Sequence, residues 1–310
     1  MKIVFFGSDN FAAAHLRSLI GARHHVVACV TQPDRPKGRG MKVVLSEIKE
    51  RAQAGDIPVL QPGSLKEDGL ADRLKEFRSD VFVVIAYGKF LPAEIINIPP
   101  LGAVNVHASL LPKYRGAAPI NWAIINGETE TGLSIIKINE TMDAGDILSK
   151  VKIKISDDDT SMTLKGKMME EGPLLLRETL DDLAEHRCVP QAQDHSRATL
   201  APKLIKGVGA IQWAKKAEDI DRMVRGLLPW PSAYTFYNEK LLKILEAKVV
   251  KRDFSEREPG TVTEAGKEGI VVAAGTGGLL VTKVHLQDSK SMDAHDFMIG
   301  HQLQVGFQFK

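Results

Sequence analysis

Short runs of β-forming residues alternate with amphipathic helical patterns through the first half of this 310-residue chain. The clearest of these runs are Lys2–Phe6, His25–Thr31 and Asp80–Ala86. The third is continuously apolar after its first residue, as expected of a strand that is buried on both faces of a parallel sheet. Such alternation is typical of βαβ units, so the sequence predicts an α/β domain built on a mostly parallel sheet.

The residues that follow these strands are the first candidates for a functional site. A fourth run, Gly102–Val106, leads directly into His107. In open α/β sheets, ligands bind beyond the carboxyl ends of the strands. We therefore expect Gly7, Thr31, Tyr87 and His107 to lie along one edge of the sheet, which is the predicted active face.

The middle of the chain predicts a long helix and then a linker. After an alternating run, LSKVKIKI, a helical pattern extends from Ser161 to about His186, with a turn at Glu171-Gly172-Pro173 within it. The stretch Val189–Leu200 lacks periodicity and is rich in polar residues. This composition indicates a connection between domains.

The remainder of the chain predicts a second, smaller domain. A helix around Ala217–Leu227 precedes short alternating strands that are separated by Gly, Pro and Asn turns, which favours a small antiparallel barrel. The Gly-rich stretch Ala274–Gly278 is interpreted as a hairpin turn between two of these strands. We expect a catalytic domain at residues 1–188, a linker at 189–204 and a C-terminal β-barrel domain at 205–310.

Composition places the chain among globular proteins. Hydrophobic residues make up 44% and charged residues 26% of the sequence, and no apolar stretch approaches the roughly 20 residues that a membrane helix needs. The N-terminal apolar run is short and ends in turn residues, unlike a secretory signal. Cys29 and Cys188 show neither metal-ligand spacing nor a disulfide framework. A soluble protein of the reducing cytoplasm is therefore expected.

Asn105 and His107 are the first pair of residues that indicate chemistry. They are two apart on a predicted strand, so their side chains project to the same face and bring an amide beside an imidazole. Such a pair can hold a developing oxyanion. A lone histidine could instead only cap its strand. The irregular backbone predicted around Pro112, Gly116 and Pro119 favours the functional interpretation.

Asp143 lies in a turn, Thr141–Asp146, that comes just before another predicted strand. By itself, an Asp-Ala-Gly-Asp segment indicates no more than a turn. A carboxylate near His107 would nevertheless orient the imidazole or hold it protonated, which suits the stabilisation of negative charge on a former carbonyl oxygen. Asn105, His107 and Asp143 are therefore the candidate catalytic residues.

Charge is distributed unevenly along the chain, although the formal net charge is only +2. The segment Lys203–Arg252 contains more Lys and Arg than Asp and Glu, and the loop Asp34–Lys42 is also basic. Either region could be a solvated surface, or could contact the phosphates of a nucleic acid. The Gly7-Ser8-Asp9 turn lacks the G-x-G-x-x-G spacing, which argues against a dinucleotide-binding role.

One segment resembles a known family. His107-Ala-Ser-Leu-Leu-Pro-Lys-Tyr-Arg-Gly116, together with Met142-Asp-Ala-Gly-Asp146, is similar to the formyltransferases that use 10-formyltetrahydrofolate. The likeness covers nearly the whole chain and includes the second domain. One departure lies at Leu228–Ala233, where this chain has Ser232 at a position that is usually Gly in the family. Serine adopts a positive φ less readily than glycine, so the local turn is in question.

The resemblance implies a role for each part of the chain. It implies a Rossmann-like formyltransferase fold followed by an OB-like barrel, with Asn105, His107 and Asp143 in the catalytic positions. The residues expected to contact the folate are Ile85, Ala86, Tyr87, Gly88, Phe90, Leu91, Pro92, Ser109, Leu110, Leu111, Pro112, Asn139, Glu140 and Met142. Those expected to contact tRNA are Arg35, Lys37, Arg39, Lys42, Lys203, Lys206 and Lys215.

The implied activity is transfer of the formyl group of 10-formyltetrahydrofolate, as co-substrate, to the free amino group of methionyl-tRNA in its initiator form, in support of translation initiation. Transfer between two nitrogen atoms needs an oxyanion site and a route for a proton, and it needs no covalent enzyme intermediate. We expect no metal, no membrane partner, a cytoplasmic location and a monomer.

Three alternatives use the same residues or the same surface. A hydrolase that releases formate, or a transferase acting on an amino sugar, could use the same three side chains. The basic second domain argues against the hydrolase, and the lack of a nucleotide-binding fingerprint argues against the sugar enzyme. A non-catalytic RNA-binding protein would need only the basic surface, and clustering of Asn105, His107 and Asp143 around one site would argue against it.

Overall fold

The computed structural model describes residues 1–37 and 42–310, with side chains outside the segment 35–44. The strands are β1 (Lys2–Gly7), β2 (His25–Val30), β3 (Arg35–Lys37), β4 (Lys42–Val44), β5 (Val59–Leu60), β6 (Val81–Ile85), β7 (Ala103–His107), β8 (Arg115–Gly116), β9 (Glu130–Lys137), β10 (Ile147–Lys154), β11 (Leu200–Ala201), β12 (Ala233–Tyr237), β13 (Lys240–Val250), β14 (Val262–Gly266), β15 (Gly269–Ala273), β16 (Gly278–Leu286) and β17 (Ser291–Asp293).

Helices flank these strands along the chain. They are α1 (Asn10–Leu19), α2 (Glu47–Ala54), α3 (Leu70–Glu76), α4 (Ala93–Ile96), α5 (Pro119–Ile125), α6 (Ser161–Ala184), α7 (Ala217–Gly226) and α8 (Ala294–His301), with short 3₁₀ turns at His195–Arg197 and Lys206–Gly209. In the described part of the chain, no helix combines the length and the apolarity that crossing a membrane requires.

The described residues divide into two compact units. The first comprises Met1–Gly116, Thr131–Ile153 and Lys165–Leu200, and the second comprises Ala117–Glu130, Lys154–Leu164 and Ala201–Lys310. Helix α5 belongs to the second unit because it packs on α7, where Asn121 Nδ2 donates a hydrogen bond to the carbonyl oxygen of Gly226 at 2.7 Å. The division at residues 188, 204 and 205 inferred from sequence stays a prediction.

The main sheet of the first unit confirms the predicted α/β architecture. Its strand order is β10-β9-β7-β6-β1-β2-β5. Strands β7, β6, β1, β2 and β5 run parallel, and β9 runs antiparallel to β7. All five residues of β6 are buried, as expected of an inner strand that is covered on both faces.

The carboxyl ends of the parallel strands meet at one edge, as predicted. The carbonyl oxygen of Tyr87, which follows β6, accepts hydrogen bonds from Ser8 Oγ at 3.2 Å and from Gln32 Nε2 at 3.0 Å. Ser8 and Gln32 follow the ends of β1 and β2. Strand β7 is in register with β6 at the pair Val84 and Asn105. This edge leads into the site described below.

Helix α6 differs from the sequence expectation. It continues through Glu171-Gly172-Pro173, where we expected a turn, and ends at Ala184. Gly172 has a packing role: a Cβ atom at this position would lie 2.4 Å from Nε2 of the fully buried His15 on α1. Tertiary contact therefore overrides the local preference of a Gly-Pro pair for a turn.

The second unit contains an antiparallel sheet of order β12-β13-β16-β15-β14, with β17 paired to β16. The predicted helix is present as α7, and the predicted hairpin joins β15 to β16. The C-terminal residues lie between the two edge strands of this sheet. Val262 N donates to Phe307 O at 2.8 Å, and Thr235 Oγ1 donates to Lys310 O at 2.7 Å. This arrangement is compatible with the predicted barrel.

Candidate active site

Strand β7 positions Asn105 and His107 on the same face, because alternate residues of a strand point the same way. Asn105 is half-buried, and the side chain of His107 is 6% exposed. His107 Nε2 lies 2.8 Å from the carbonyl oxygen of Tyr114. A carbonyl oxygen can only accept, so Nε2 carries a proton and donates it. This hydrogen bond fixes the ring and turns Nδ1 toward Asp143.

The loop between β9 and β10 brings the carboxylate of Asp143 to this pair. Oδ2 of Asp143 lies 3.6 Å from His107 Nδ1, and Oδ1 lies 3.5 Å from Asn105 Nδ2. Both contacts are longer than a strong hydrogen bond. A shorter one, 2.8 Å, runs from the backbone N–H of Gly116 to Oδ2. The structure thus brings together the three residues that the sequence singled out.

The carboxylate of Asp143 faces the second nitrogen of His107. With Nε2 bound to the carbonyl oxygen of Tyr114, Nδ1 lies 3.6 Å from Oδ2 of Asp143. The side chain of Asp143 is only 13% exposed, so water screens this interaction weakly. The carboxylate is therefore placed to orient the imidazole beside the amide of Asn105.

The Asp143 turn is held in an unusual backbone conformation. Asp143 has φ 52°, in the left-handed region that glycine adopts freely and aspartate only occasionally. Two residues later, a Cβ atom on Gly145 would lie 1.7 Å from the carbonyl oxygen of Lys137. Only glycine fits this close approach of the two backbone segments. The sequence showed a turn here, but not this packing requirement.

Gln193 is a site residue that the sequence interpretation missed, since it lies in the stretch assigned to the linker. Its side chain is buried, and Nε2 donates to the carbonyl oxygens of Asp143 and Gly145 at 2.8 and 2.7 Å. Its Oε1 accepts from Nε and Nη2 of Arg115 at 3.1 and 2.6 Å. Nothing in an aperiodic polar stretch signals these partners, because all of them lie far away in sequence.

A second buried residue, Ser134, shapes the loop that follows β7. Its hydroxyl donates to Ser109 O at 2.7 Å and accepts from the N–H of Leu111 at 3.0 Å. On the other side of the loop, Lys150 Nζ donates to the carbonyl oxygen of Leu111 at 2.6 Å. Desolvation by burial lowers the pKa of Lys150 below its usual value. The backbone around Ser109–Pro112 is therefore held from both sides.

The residues expected to contact folate divide into exposed and buried groups. Phe90 and Met142 are the most accessible large apolar side chains among them, at 56% and 60% exposure. Also exposed are Ala86, Gly88, Asn139 and Glu140, whereas Ile85, Tyr87, Leu91, Ser109 and Leu111 are buried, and Pro92, Leu110 and Pro112 are half-buried. The ring of Tyr87 packs on Phe6, and burial raises the pKa of its hydroxyl to about 12. The buried members have little side-chain surface left for a ligand, and the contacts of the whole set with folate stay a prediction.

The residues expected to contact tRNA are described only in part. Lys203, Lys206 and Lys215 are exposed and belong to the second unit. Strands β3 and β4 pair Lys37 with Lys42, and the side chains of Arg35, Lys37 and Lys42 lie outside the described part of the chain, as does all of Arg39. Two other basic residues of the second unit are neutralised locally, since Arg222 contacts Asp219 and Arg225 contacts Asp221.

Comparison with protein families decides the assignment of the chain. A model described as formyl transferase matches residues 1–180, and a model described as the formyl transferase C-terminal domain matches residues 203–302. The chain belongs to the formyl transferase family. This confirms the resemblance inferred from the segment after His107.

Full-length relatives of this formyl transferase support the assignment. A methionyl-tRNA formyltransferase from Acetivibrio thermocellus is 44% identical over 306 residues, covering 99% of this chain and 98% of the relative. Another from Caldanaerobacter subterraneus subsp. tengcongensis is 45% identical over 307 residues, covering 99% of both chains.

A solved structure shows the same fold as this formyl transferase. The N-formyltransferase from Helicobacter canadensis, in complex with folinic acid and dTDP-3-aminofucose, matches with a TM-score of 0.69 and 16% identity, covering 94% of this chain and 100% of that one. In the described residues, no group of three or more His, Cys, Asp or Glu side chains is arranged to hold a metal ion.

Proposed function

We propose that this formyl transferase moves the formyl group of 10-formyltetrahydrofolate to the free amino group of methionyl-tRNA in its initiator form, and so supports translation initiation. The observation that carries the proposal is the convergence of Asn105, His107 and Asp143 on one site. The full-length relatives named as methionyl-tRNA formyltransferases support the choice of acceptor. The match to these relatives extends over the second domain. A hydrolase that only releases formate would not need a basic second domain.

Asn105 and His107 form the oxyanion site in this proposal. The neutral amine of the acceptor attacks the formyl carbon, and the formyl oxygen gains negative charge as the new C–N bond forms. Asn105 donates to this oxygen from Nδ2. His107 donates to it from Nδ1, because its Nε2 proton is committed to Tyr114. Both donors are in position before the reaction, so little reorganisation is needed when charge develops.

Asp143 manages the proton in this proposal. The attacking amine must lose a proton, and the nitrogen that leaves the formyl carbon must gain one. Asp143 lies beside His107 and Asn105 and is held by Gly116 N, so its carboxylate can accept the amine proton and return it to the leaving nitrogen. It also orients the ring of His107. No covalent bond to the protein forms.

The loops around the site fit a folate co-substrate. Phe90 and Met142 leave apolar surface in water, and a flat, partly apolar ring would cover such surface favourably. Gly88 and Ala86 expose backbone at the end of β6, where polar ring edges find hydrogen-bonding partners. The donor supplies an activated formyl group when bound. The residues of the chain bind it, orient it and stabilise the charge.

The basic residues of the second unit are proposed to bind tRNA. Lys203, Lys206 and Lys215 present ammonium groups to solvent, and such groups bind the phosphates of a nucleic acid with release of counterions. Arg35, Lys37, Arg39 and Lys42 complete the proposed tRNA-binding set through the resemblance to the family. We further propose that the protein acts as a monomer in the cytoplasm.

Incubation of the protein with 10-formyltetrahydrofolate and methionyl initiator tRNA tests this function. We expect formylmethionyl-tRNA, detected by mass spectrometry of the released amino acid. Formate release without formylated methionine would support the hydrolase instead. Formylation of a nucleotide-linked amino sugar in preference to tRNA would support the sugar enzyme, and retention of tRNA binding with no turnover of the donor would support a non-catalytic RNA-binding protein.

A further inference from the structure

The stretch that joins α6 to β11 makes contacts that reach the catalytic centre. It is anchored beside β10 by a pair of backbone hydrogen bonds between Gln191 and Ile147, at 2.8 and 2.9 Å. Two residues later, Gln193 turns its side chain inward and is buried, whereas its neighbours Asp194 and His195 are exposed. All of these residues belong to the first unit.

We propose that Gln193 is a positioning residue for formyl transfer, acting through the backbone of the Asp143 turn, and that Thr199 supports the opposite side of the same centre. We refer to residues 191–199, which contain both, as the strap. The proposal rests on the function proposed above. It adds that the strap is part of the catalytic apparatus rather than a passive connection between domains.

The partners of the Gln193 side chain require an amide, which has a donor on one side and an acceptor on the other. Its amide group meets two carbonyl oxygens, of Asp143 and Gly145, which can only accept. Its oxygen meets the guanidinium of Arg115, which can only donate. The side chain thus uses both N–H groups and both lone pairs in a buried position. Glutamate would place an oxygen against two carbonyl oxygens. An apolar side chain would remove the donor from both carbonyl oxygens and would leave Arg115 with His195 Nδ1, at 3.0 Å, in place of Gln193.

We expect the Asp143 turn to shift when the hydrogen bonds from Gln193 are removed. Asp143 has φ 52°, which is unfavourable for a residue with a Cβ atom. Its carbonyl is held by Gln193 Nε2 and its carboxylate by Gly116 N. Loss of the hydrogen bond from Gln193 frees the backbone of Asp143, and the carboxylate that accepts from Gly116 N moves with it. A shift of about 1 Å in a catalytic group is enough to cost about 100-fold in rate.

Thr199 holds the segment that orients His107. Its Oγ1 accepts from the N–H of Tyr114 at 2.8 Å, and its carbonyl oxygen accepts from the N–H of Arg115 at 2.8 Å. The carbonyl of Tyr114 is the one that accepts from His107 Nε2. The two ends of the strap therefore support the two partners of one pair, Asp143 through Gln193 and His107 through Thr199.

Kinetics of single and double variants test the role of Gln193. The set is Gln193→Ala, Gln193→Met, Asp143→Ala, Asp143→Ala combined with each Gln193 change, and Gln53→Ala as the control on an exposed glutamine of α2. Transfer to methionyl-tRNA and formate release are both measured, under single-turnover conditions for slow variants. We expect kcat to fall about 10- to 100-fold in both Gln193 variants, with KM for either substrate within about threefold and the control unchanged.

The double variants separate positioning from general stability. If Gln193 acts through Asp143, a Gln193 change in the Asp143→Ala background lowers kcat by less than about threefold. A further loss of 10- to 100-fold in that background would overturn the proposal, as would near wild-type kcat in both single Gln193 variants. Gln193→Met keeps the side-chain length and gives the result if Gln193→Ala does not fold.

Thr199 offers a rescue test. Thr199→Val removes the acceptor of the Tyr114 N–H and keeps the shape, so kcat falls, whereas Thr199→Ser restores it. Equal activity of the valine and serine variants would overturn the role of Thr199. A wild-type protein that releases formate without formylating methionyl-tRNA would refute the proposed acceptor alone, because the Gln193 comparison can then be made on formate release.

Discussion

His107 donates its Nε2 proton to the carbonyl oxygen of Tyr114 at 2.8 Å, and this hydrogen bond determines which nitrogen faces the chemistry. Nδ1 is left facing the carboxylate of Asp143, 3.6 Å from Oδ2. The group that orients the ring is thus the backbone carbonyl of a residue seven positions further along the chain. Any residue at position 114 would keep this carbonyl, so a Tyr114 substitution tests its side chain and not the hydrogen bond to His107.

Asn105→Ala is expected to lower kcat by about 10² to 10³, because it removes one donor of the oxyanion site. The measurement is steady-state formylation of methionyl-tRNA, with KM for the folate donor determined separately. Asn97→Ala, which changes an exposed asparagine after α4, should have wild-type kinetics. An Asn105→Ala enzyme with wild-type kcat would rule out the proposed role of Asn105.

Gly145→Ala is expected to lower both stability and activity, because the added Cβ atom would overlap the carbonyl oxygen of Lys137 at 1.7 Å and force the Asp143 turn to move. Gly166→Ala is the matched control, since a Cβ atom there meets no atom within 4 Å and the position lies inside α6. The Gly166→Ala control should unfold at a higher denaturant concentration than the wild type, because its free energy of unfolding rises by about 0.5 to 1 kcal/mol. Equal effects of the two substitutions would contradict the close approach at Gly145.

Ser232 has φ 69°, in the left-handed region that favours glycine. Its hydroxyl donates to the carbonyl oxygen of Pro229 at 2.9 Å, so the serine compensates part of its backbone strain with a hydrogen bond. Ser232→Ala keeps the strain and loses the bond, and should lower the free energy of unfolding by about 1 kcal/mol. Ser232→Gly loses both and should remain within about 0.5 kcal/mol of wild type. Denaturant titration that ranks alanine above glycine would refute this explanation.

His15 makes stability depend on pH. Burial lowers the pKa of this imidazole from 6.5 to about 4, so the folded protein binds a proton there less readily than the unfolded chain. This group does not reduce the free energy of unfolding above pH 6.5. As the pH falls from 6.5 toward 4, it lowers the free energy of unfolding by on the order of 3 kcal/mol. Unfolding free energies measured between pH 4 and 7 should fall less steeply in His15→Gln. Identical slopes in the two proteins would exclude His15 as the source.

Salt should weaken tRNA binding steeply if the second unit contacts phosphates. Each of Lys203→Ala, Lys206→Ala and Lys215→Ala should reduce the slope of log affinity against log salt concentration by about 1. Filter binding at several salt concentrations gives the slope. Lys66→Ala, on an exposed lysine of the first unit, serves as the control. A tRNA affinity that does not change with salt would contradict a phosphate interface.

The parts of the fold that could be predicted were those with a local signal in the sequence, either an apolar run or a regular spacing. The runs at Lys2–Phe6 and Asp80–Ala86 became adjacent parallel strands because continuous apolarity is a local signal of burial. The spacing of Asn105 and His107 likewise predicted one face correctly. The meeting of Asp143 with that face could be inferred only from the family resemblance, since the distance between them in sequence has no periodicity.

The features that the sequence did not reveal depend on contacts between distant segments. Gly172-Pro173 looks like a turn in isolation, and only the nearby ring of His15 explains why the helix continues there. Gln193 looks like any polar linker residue until the carbonyls of Asp143 and Gly145 are in place around it. Such satisfied polar networks are specified jointly by several loops, so no single stretch contains their signal.

The last residues of the chain close the second sheet, where Phe307 bonds to Val262 and Lys310 accepts from Thr235. Gly306 N also donates to Val262 O, and Phe309 N donates to Gly260 O. An edge strand with free N–H and C=O groups is a template for pairing with another molecule, and natural proteins cover such edges. Residues 306–309 occupy backbone groups at the start of β14 from within the same unit, which lowers the tendency of this sheet to associate edge to edge.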